Sequence, residues 1–393
     1  MSYETNTLAG SSSEAGETNQ QLAMLRESAN RFCLAGSHLK RARQLRGTSP
    51  GFDRQVWQQM AELGWFGILV PQRFGGLELT CLEMAAVSEA LGRSLFPEPV
   101  VAATVLGGGA ILHGENDDLK AELLPALVKG YMIPALAWRE ADYQGDILTV
   151  NTRAEPTSSG VTISGVKRLI VGGAGADGFV VSARSVRGIG LYWIPADAVK
   201  QGLSPIELAD GRAAADLTLA GIKVPHHHRI AGPGSAEAVL TRVYDEALIV
   251  TAAELLGVLT RSFEITLDYL RTRVQFGKLI GSYQGLQHRA VDLYAAEIMC
   301  RYALDEVLAS VSMAQVEPKV RSALASRVKA RCSEASLRVT REAIQMHGAI
   351  GFSDECDIGL FLKRAITLSG WLGGAEFHRR RFARLAGHEQ ADD

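Results

Sequence analysis

The sequence has few cysteines, and they are scattered. Only five occur in 393 residues, at positions 33, 81, 300, 332 and 356, and none belongs to a C-x-x-C pair. An odd number at irregular spacing predicts neither a disulfide framework nor a zinc cluster. We therefore expect no metal site, and a reducing compartment such as the cytoplasm suits this cysteine content best.

An excess of either charge is also missing. Lys and Arg number 41 against 43 Asp and Glu, which gives a formal charge of −2 and argues against a general nucleic-acid or membrane-surface binder. No run approaches the roughly 20 apolar residues that a membrane span needs. Residues 1–20 are rich in Ser, Thr, Gly and Glu and lack the features of a signal peptide, so we expect a flexible tail on a soluble, non-exported protein.

What the chain does have is two changes of hydrophobic period. Residues 21–127 show the three-and-four spacing of helices, residues 128–233 show short β-branched runs bounded by turns, and residues 234–393 return to the helical spacing. This order predicts an α+β protein with an N-terminal helical domain, a middle antiparallel β-domain and a C-terminal four-helix bundle. Apolar residues surround the helix near Ile249 to Leu259, which indicates burial on several sides.

One helix-to-helix corner stands out. The segment RTRVQFGKLIGSYQGLQ, residues 271–287, turns at two glycines and places Arg273, Gln275, Phe276 and Gln284 around one point. A guanidinium fork, amides and an aromatic face suit an anionic, ring-bearing cofactor such as a dinucleotide. A plain interhelical corner with a buried Phe and a capping Arg explains the spacing equally well.

A second helix, EAIQMHGAIGF, carries Gln345 into a break at Gly348 and Gly351, where close backbone approach suits a pyrophosphate or a simple helix end. The arginines near the C-terminus, among them Arg381, suit a phosphate clasp or, as we favour, ordinary surface charges.

Together these motifs resemble the acyl-CoA dehydrogenase family over residues 22–390. The resemblance rests on RTRVQFGKLIGSYQGLQHRAVDL followed by QMHGAIGF, behind a helical and a β-domain. The runs AELGWFGILVPQRFGG and VKRLIVGGAGADGFVVSAR are most similar to small subunits of α₂β₂ heterotetramers of the pimeloyl-CoA and steroid side-chain type.

The resemblance implies a FAD enzyme that oxidises an acyl-CoA to its trans-2-enoyl form, in fatty acid or steroid side-chain β-oxidation, with an electron-transfer flavoprotein as acceptor. In the family each FAD lies between two chains: one walls the flavin ring, and its neighbour holds the ADP moiety. The residues of this chain that would hold a neighbour's ADP moiety are Arg273, Gln275, Phe276, Tyr283, Gln284, Gln345, Gly348 and Ala349.

The flavin wall departs from the family pattern. Arg139 stands where a hydroxyl is common, and Leu169, Ile170 and Val171 replace the Trp-x-Thr that covers the ring. The resemblance therefore implies a weak wall, because an aromatic face and a hydroxyl donor are lost.

The family's catalytic base is missing from both of its usual positions, which Leu372 and Ala247 occupy. Glu246 and Glu376 are the remaining candidates, although a one-residue step turns a helix by about 100° and Glu376 suits a first-turn carboxylate. A third carboxylate, Glu254, we expect to be paired.

These departures predict a subunit that lacks the base and completes the FAD site of a homologous partner. One alternative is a complete homotetrameric enzyme with Glu246 or Glu376 as an unusual base. Another is an acyl-CoA-binding or assembly protein without a redox role.

Overall fold

A computed structural model describes residues 9–36, 38–141, 145–312 and 316–387, with side chains from residue 20 onward. The N-terminal domain is helical, and side chains cap the N-termini of two of its helices, Arg54–Glu62 and Cys81–Ser94. Asp53 accepts a hydrogen bond from the Gln55 amide at 2.8 Å, and Thr80 forms a capping box with Glu83. The helices are α1 (Ala9–Leu34), α2 (His38–Leu45), α3 (Arg54–Glu62), α4 (Cys81–Ser94), a π-helix (Val101–Gly108), α5 (Gly109–Leu112) and α6 (Asp117–Val128).

The middle domain is an eight-stranded sheet in which antiparallel pairs predominate. Its path is β6-β7-β3-β2-β4-β5-β8, and β1 pairs with β4. Two pairs, β1 with β4 and β2 with β4, are parallel. The strands are β1 (Pro134–Ala137), β2 (Arg153–Pro156), β3 (Gly160–Val171), β4 (Gly178–Ser185), β5 (Gly188–Pro195), β6 (Leu203–Glu207), β7 (Ala213–Pro225) and β8 (Arg229–Ala231).

The C-terminal domain is built around one long helix. Helices α7 to α10 pack on one another, and α11 lies against α9. A short hairpin of β9 and β10 joins α7 to α8. The elements are α7 (Ala236–Thr272), β9 (Val274–Gln275), β10 (Lys278–Leu279), α8 (Gln284–Val311), α9 (Pro318–His347), α10 (Ile358–Gly370) and α11 (Ala375–Ala386).

Helix α7 runs through the main hydrophobic core. Its residues 249–259 are all buried, as their apolar circumference predicts, and they touch α4, α9, α10 and the π-helix. Close approach of α4 has a direct cause at Gly92, where a Cβ would lie 2.2 Å from the Glu254 carbonyl oxygen. The hydrophobic effect of this shared core fixes the N-terminal domain on the bundle.

A buried guanidinium joins all three domains. Arg364 on α10 is ion-paired at 2.7 Å with Asp210 in the β6–β7 loop and at 3.0 Å with Glu254 on α7. It also donates to the carbonyl oxygens of Leu95 and Phe96, just after α4. Burial alone raises the pKa of Asp210, but the charges of Arg212 and Arg364 hold this pKa below its ordinary value.

The predicted α+β architecture of helices, then a β-domain, then a four-helix bundle is confirmed, with α11 as an addition. The prediction that Glu254 is paired is also confirmed. Helix α1 begins at Ala9, inside the segment predicted as a flexible tail, so residues 9–20 are helical here; residues 1–8 lie outside the described part. None of the helices in the described ranges combines the length and apolar character that crossing a membrane requires.

We expect Arg364→Met to lower the free energy of unfolding by about 3–5 kcal/mol, because the change removes the cation paired with the buried Glu254 carboxylate and leaves Asp210 with Arg212 alone. The matched control is Arg31→Met, which removes a surface ion pair with Glu27. The side chains of Arg31 and Glu27 are 78% and 71% exposed. This control should cost no more than about 1 kcal/mol. Urea denaturation measures both, and equal losses would contradict the assigned role of Arg364.

Candidate functional site

The corner after α7 is an exposed hairpin. Phe276 and Gly277 form its tip, with φ of 53° and 80°, a left-handed pair typical of tight hairpin turns. Phe276 is 91% exposed. The alternative of a plain corner with a buried Phe is therefore wrong. Arg273 and Gln275 are exposed beside it, and the hairpin is closed by the Ile280 amide, which donates to the Arg273 carbonyl at 2.9 Å.

The break after α9 lies next to this hairpin. The Tyr269 ring, one turn before the end of α7, stacks on the His347 ring with centroids 4.3 Å apart. Its hydroxyl donates to the His347 carbonyl at 3.3 Å. Gly348 follows with a φ of 68°, and Gln345, Gly348 and Ala349 are exposed. The two segments that the sequence assigns to one nucleotide therefore lie at the same end of the bundle.

The start of α8 completes this group. Gln284 is its first residue, and the preceding Tyr283 makes no side-chain cap hydrogen bond. A Cβ on Gly285 would meet nothing within 4 Å, so this helix end is open. Free N–H groups at the positive end of a 28-residue helix suit a phosphate, and Lys278 lies over the Tyr283 ring at 4.1 Å. The nucleotide portion of a dinucleotide therefore fits the residues at this end.

The flavin wall of the β-domain lies at the other end of α7. Leu169 has a φ of 50°, and its amide donates to Asp216 at 2.8 Å. Leu169, Val171 and Arg139 line a cleft of about 470 Å³ together with Trp371. The side chains of this wall are aliphatic or cationic, so they do not match an aromatic ring system in the way a Trp-x-Thr wall would.

Trp371 occupies the space behind this wall. It borders two further cavities of only about 10 Å³ each. One of these is lined by Ala102 and Leu106 of the π-helix and by Leu169 and Ile170 of β3. An acyl chain has no room there, because ligand pockets typically measure about 300–1,000 Å³.

The residue after Trp371 faces the core. Leu372 is 1% exposed and has a φ of 61°. Its carbonyl accepts from His378 Nε2 at 2.8 Å and lies within hydrogen-bond distance of the Tyr244 hydroxyl. The same hydroxyl is 2.7 Å from the carbonyl oxygen of Gly145, which ties the β-domain to this loop. At the second usual base position, Ala247 is fully buried.

The two candidate carboxylates do not line the cleft at the flavin wall, although Gly374 and Phe377, on either side of Glu376, do. Glu246 borders a different cleft, where Arg242 Nε lies 3.0 Å and His113 Nε2 3.5 Å from its oxygens. Glu376 is in the first turn of α11, as expected, and is paired with Arg380 on the surface. Neither carboxylate borders the cleft of Leu169 and Trp371.

Two models of one family match this chain. The acyl-CoA dehydrogenase N-terminal domain matches residues 19–131, and the acyl-CoA dehydrogenase C-terminal domain matches residues 238–386, which together make up well over half of the sequence. The chain belongs to the acyl-CoA dehydrogenase family. Membership makes it an oxidoreductase of the kind that acts on acyl-CoA, with FAD as the family cofactor, as the resemblance implied.

Individual acyl-CoA dehydrogenases are similar over most of their length. FadE27 of Mycobacterium tuberculosis is 27% identical, covering 87% of this chain and 90% of the relative. Mitochondrial isovaleryl-CoA dehydrogenase of Arabidopsis thaliana is 26% identical, covering 83% and 81%. Among solved structures, a variant of the Tcur3481-Tcur3483 steroid ACAD has a TM-score of 0.84 at 26% identity, covering 95% of this chain and 99% of that chain.

The structure of this acyl-CoA dehydrogenase also shows buried residues near Leu372 that the sequence did not single out. Tyr244 and His378 hold the Leu372 carbonyl, and no short motif marks either of them. Arg381 donates to Asp245 at 2.8 Å and to Ser326 at 2.8 Å, so it is an internal link and not a surface charge.

Lys329 on α9 is a further buried residue, and it contacts the loop that contains Leu372. Its ammonium is fully buried and donates to Ser333 Oγ at 3.1 Å and to the carbonyl oxygens of Ser369 and Gly373 at 3.3 Å. Within the described residues it has no carboxylate partner. Burial lowers the pKa of Lys329 to about 7.

The buried Lys329 ammonium predicts a pH dependence of stability. Between the folded pKa of about 7 and the ordinary value of 10.5, the unfolded chain holds a proton that the folded chain lacks, so stability rises with pH. In Lys329→Met this component disappears. The difference between the free energies of unfolding of wild type and Lys329→Met should therefore shift in favour of wild type by up to about 1.4 kcal/mol for each unit of rising pH.

The measurement is urea denaturation at several pH values in that window. Lys319→Met, at an exposed lysine of the same helix, is the control and should run parallel to wild type. A Lys329→Met profile that is also parallel would contradict the buried, deprotonating lysine.

Proposed function

We propose that this chain is the subunit of a heteromeric acyl-CoA dehydrogenase that lacks the catalytic base. It would complete the FAD site of a homologous partner in an α₂β₂ assembly. The partner would supply the wall that covers the flavin ring and the carboxylate that acts as the catalytic base. The FAD, when bound, supplies the acceptor for the hydride that leaves the acyl-CoA.

The observation that carries the proposal is that Leu372 and Ala247 provide no proton acceptor at the two usual positions of the base. The distance between the two halves of the site adds that each FAD would be shared between two chains. The nucleotide group lies beyond Thr272, at one end of α7, and the flavin wall lies near Tyr244, at the other end. At about 1.5 Å per residue, these points are about 40 Å apart along the helix. One dinucleotide cannot span that distance, so the two halves serve different FAD molecules.

Exposed apolar side chains support a partner at the nucleotide end. Phe276 and Phe352 are 91% and 81% exposed, and Val274 and Ile350 are at least half exposed. Apolar groups at this density beside open N–H groups are typical of a surface that another chain covers. In the proposal Arg273 pairs with a phosphate, Phe276 packs on the nucleotide, and Gln284 and Gln345 donate amide hydrogen bonds.

The other half of the site supports a non-catalytic role. Leu372 and Ala247 provide no proton acceptor, and the two cavities between Trp371 and the π-helix measure only about 10 Å³ each, so an acyl chain does not fit between them. The cationic Arg139 and aliphatic Leu169 give a poor wall for a flavin ring. The alternative of a complete homotetramer with an unusual base has no support in the positions of Glu246 and Glu376.

Relatives of known assembly fit the proposal. The solved Tcur3481-Tcur3483 steroid ACAD is named as a pair, and a complex of ChsE4 and ChsE5 from Mycobacterium tuberculosis matches at a TM-score of 0.84 and 24% identity. From this likeness we further propose that the substrate is the CoA thioester of a steroid side chain or a fatty acid. We propose an electron-transfer flavoprotein as the electron acceptor.

Flavin content tests the proposal directly. The chain expressed alone should purify colourless, and co-expression with a homologous subunit that has an intact Trp-x-Thr and carboxylate should give a yellow complex with one FAD per heterodimer. Stoichiometric flavin in the lone chain, or activity lost in Glu246→Gln or Glu376→Gln, would establish the homotetramer instead. CoA-ester binding without flavin in either preparation would establish a binding protein.

Within the complex, Phe276→Ala should lower the FAD occupancy at least tenfold under dilute conditions, because the variant removes the aromatic contact to the partner's nucleotide. The matched control is Tyr131→Ala, an aromatic that is 70% exposed between α6 and β1. Flavin absorbance after gel filtration measures occupancy. Equal flavin loss in both variants, or none in Phe276→Ala, would contradict the assignment of the hairpin.

A further inference from the structure

A second cleft lies between the N-terminal domain and the bundle, away from the flavin wall. Its volume is about 330 Å³. Thr104 and Gly108 of the π-helix line it, whereas Ala102 and Leu106 of the same helix line the small cavity beside Trp371. The π-helix therefore separates the two spaces, and a molecule in this cleft would not touch the flavin wall.

One wall of the cleft is an ion-paired carboxylate. Glu246 is only 12% exposed and is paired with Arg242 and His113. Burial alone raises the pKa of Glu246, but His113 and Arg242 hold this pKa below its ordinary value. Glu246 is therefore ionised, and its charge is already balanced by the groups beside it.

A second cation in the cleft is less completely paired. Arg321 borders the cleft, and its Nε is buried without a hydrogen-bond partner. The nearest carboxylate oxygen of Asp245 is 3.7 Å away and accepts a hydrogen bond from Ser322, while the other oxygen accepts from Arg381. The carboxylate of Asp245 is thus shared, and the lining of the cleft holds two arginines against one glutamate.

The remaining walls are mainly aliphatic. They come from the loop before α4, from α5 and from α7, and include Leu69, Val70, Leu79, Leu112 and Ile249. The volume of the cleft lies at the lower end of the usual range for small-molecule sites, and its lining combines these aliphatic side chains with the charged groups described above.

We propose that this cleft binds a small carboxylic acid with an aliphatic body. The carboxylate pairs with Arg321 and with the terminal nitrogens of Arg242, and the hydrocarbon lies against the aliphatic walls. A guanidinium favours a carboxylate because its planar donors match the two oxygens. The inference does not depend on the proposed function, because the cleft is formed within this chain alone.

Titration calorimetry with three eight-carbon probes tests the head-group preference on the full-length chain expressed alone, because the cleft is formed within this chain. Octanoate should bind with a defined stoichiometry of one per chain. Octanol should bind at least tenfold more weakly, because it cannot pair with the arginines, and octylamine should not bind. Octylamine binding as tightly as octanoate, or no binding of octanoate, would overturn the proposal.

Two variants test the location. Leu69→Trp fills the cleft from a half-buried position, and Arg321→Gln removes the cation; each should weaken octanoate at least tenfold. Arg327→Gln, on the same helix and paired with Glu306 outside the cleft, should leave the affinity unchanged. If Leu69→Trp fails to fold, the comparison of octanoate affinity between Arg321→Gln and Arg327→Gln tests the location of the site. Octanoate binding that survives either change would place the site elsewhere and refute the proposal.

Discussion

The arrangement of the three domains depends on one buried cation. Arg364 leaves water only because two carboxylates and two backbone carbonyls, drawn from the N-terminal, middle and C-terminal domains, receive its hydrogen bonds and charge. A buried charge is costly unless every partner is present, so the three domains must meet in one geometry for the ion pairs to form. The positions of the β3 wall and of the Trp371 loop follow from this joint.

The second constraint is the length of α7. One continuous helix carries Tyr244 near its start and leads into the hairpin at its end. The two groups of site residues therefore cannot approach each other within one chain. In the proposed function, such a site is complete only when two chains contribute to it. The exposed Phe276 would then contribute to the partner's FAD site, whereas the buried Leu372 lies where this chain would need a base of its own.

Much of the fold was predictable because its signals are periodic. The spacing of apolar residues gave α4 and α7, and the β-branched runs gave β3 and β4. The short strand β1, Pro134–Ala137, was missed because all four residues are buried and show no alternation. The capping signal at Thr80 was present in the sequence and is satisfied in the structure.

The candidate site was less predictable, for a physical reason. The hairpin residues lie close together in sequence, so spacing and resemblance found them, although only the structure shows that Phe276 is exposed and not packed in the core. Tyr244 and Lys329 act through contacts far apart in sequence, and His378, although only six residues from Leu372, belongs to no recognisable motif.

The backbone conformation at Leu372 has a consequence for any substitution meant to place a proton acceptor there. Its left-handed backbone and its carbonyl, shared between a tyrosine and a histidine, direct the side chain into the interior. A carboxylate placed at this position would be buried and would not line the cleft of Leu169 and Trp371. The conformation of this loop, and not the identity of residue 372 alone, therefore keeps a proton acceptor out of that cleft.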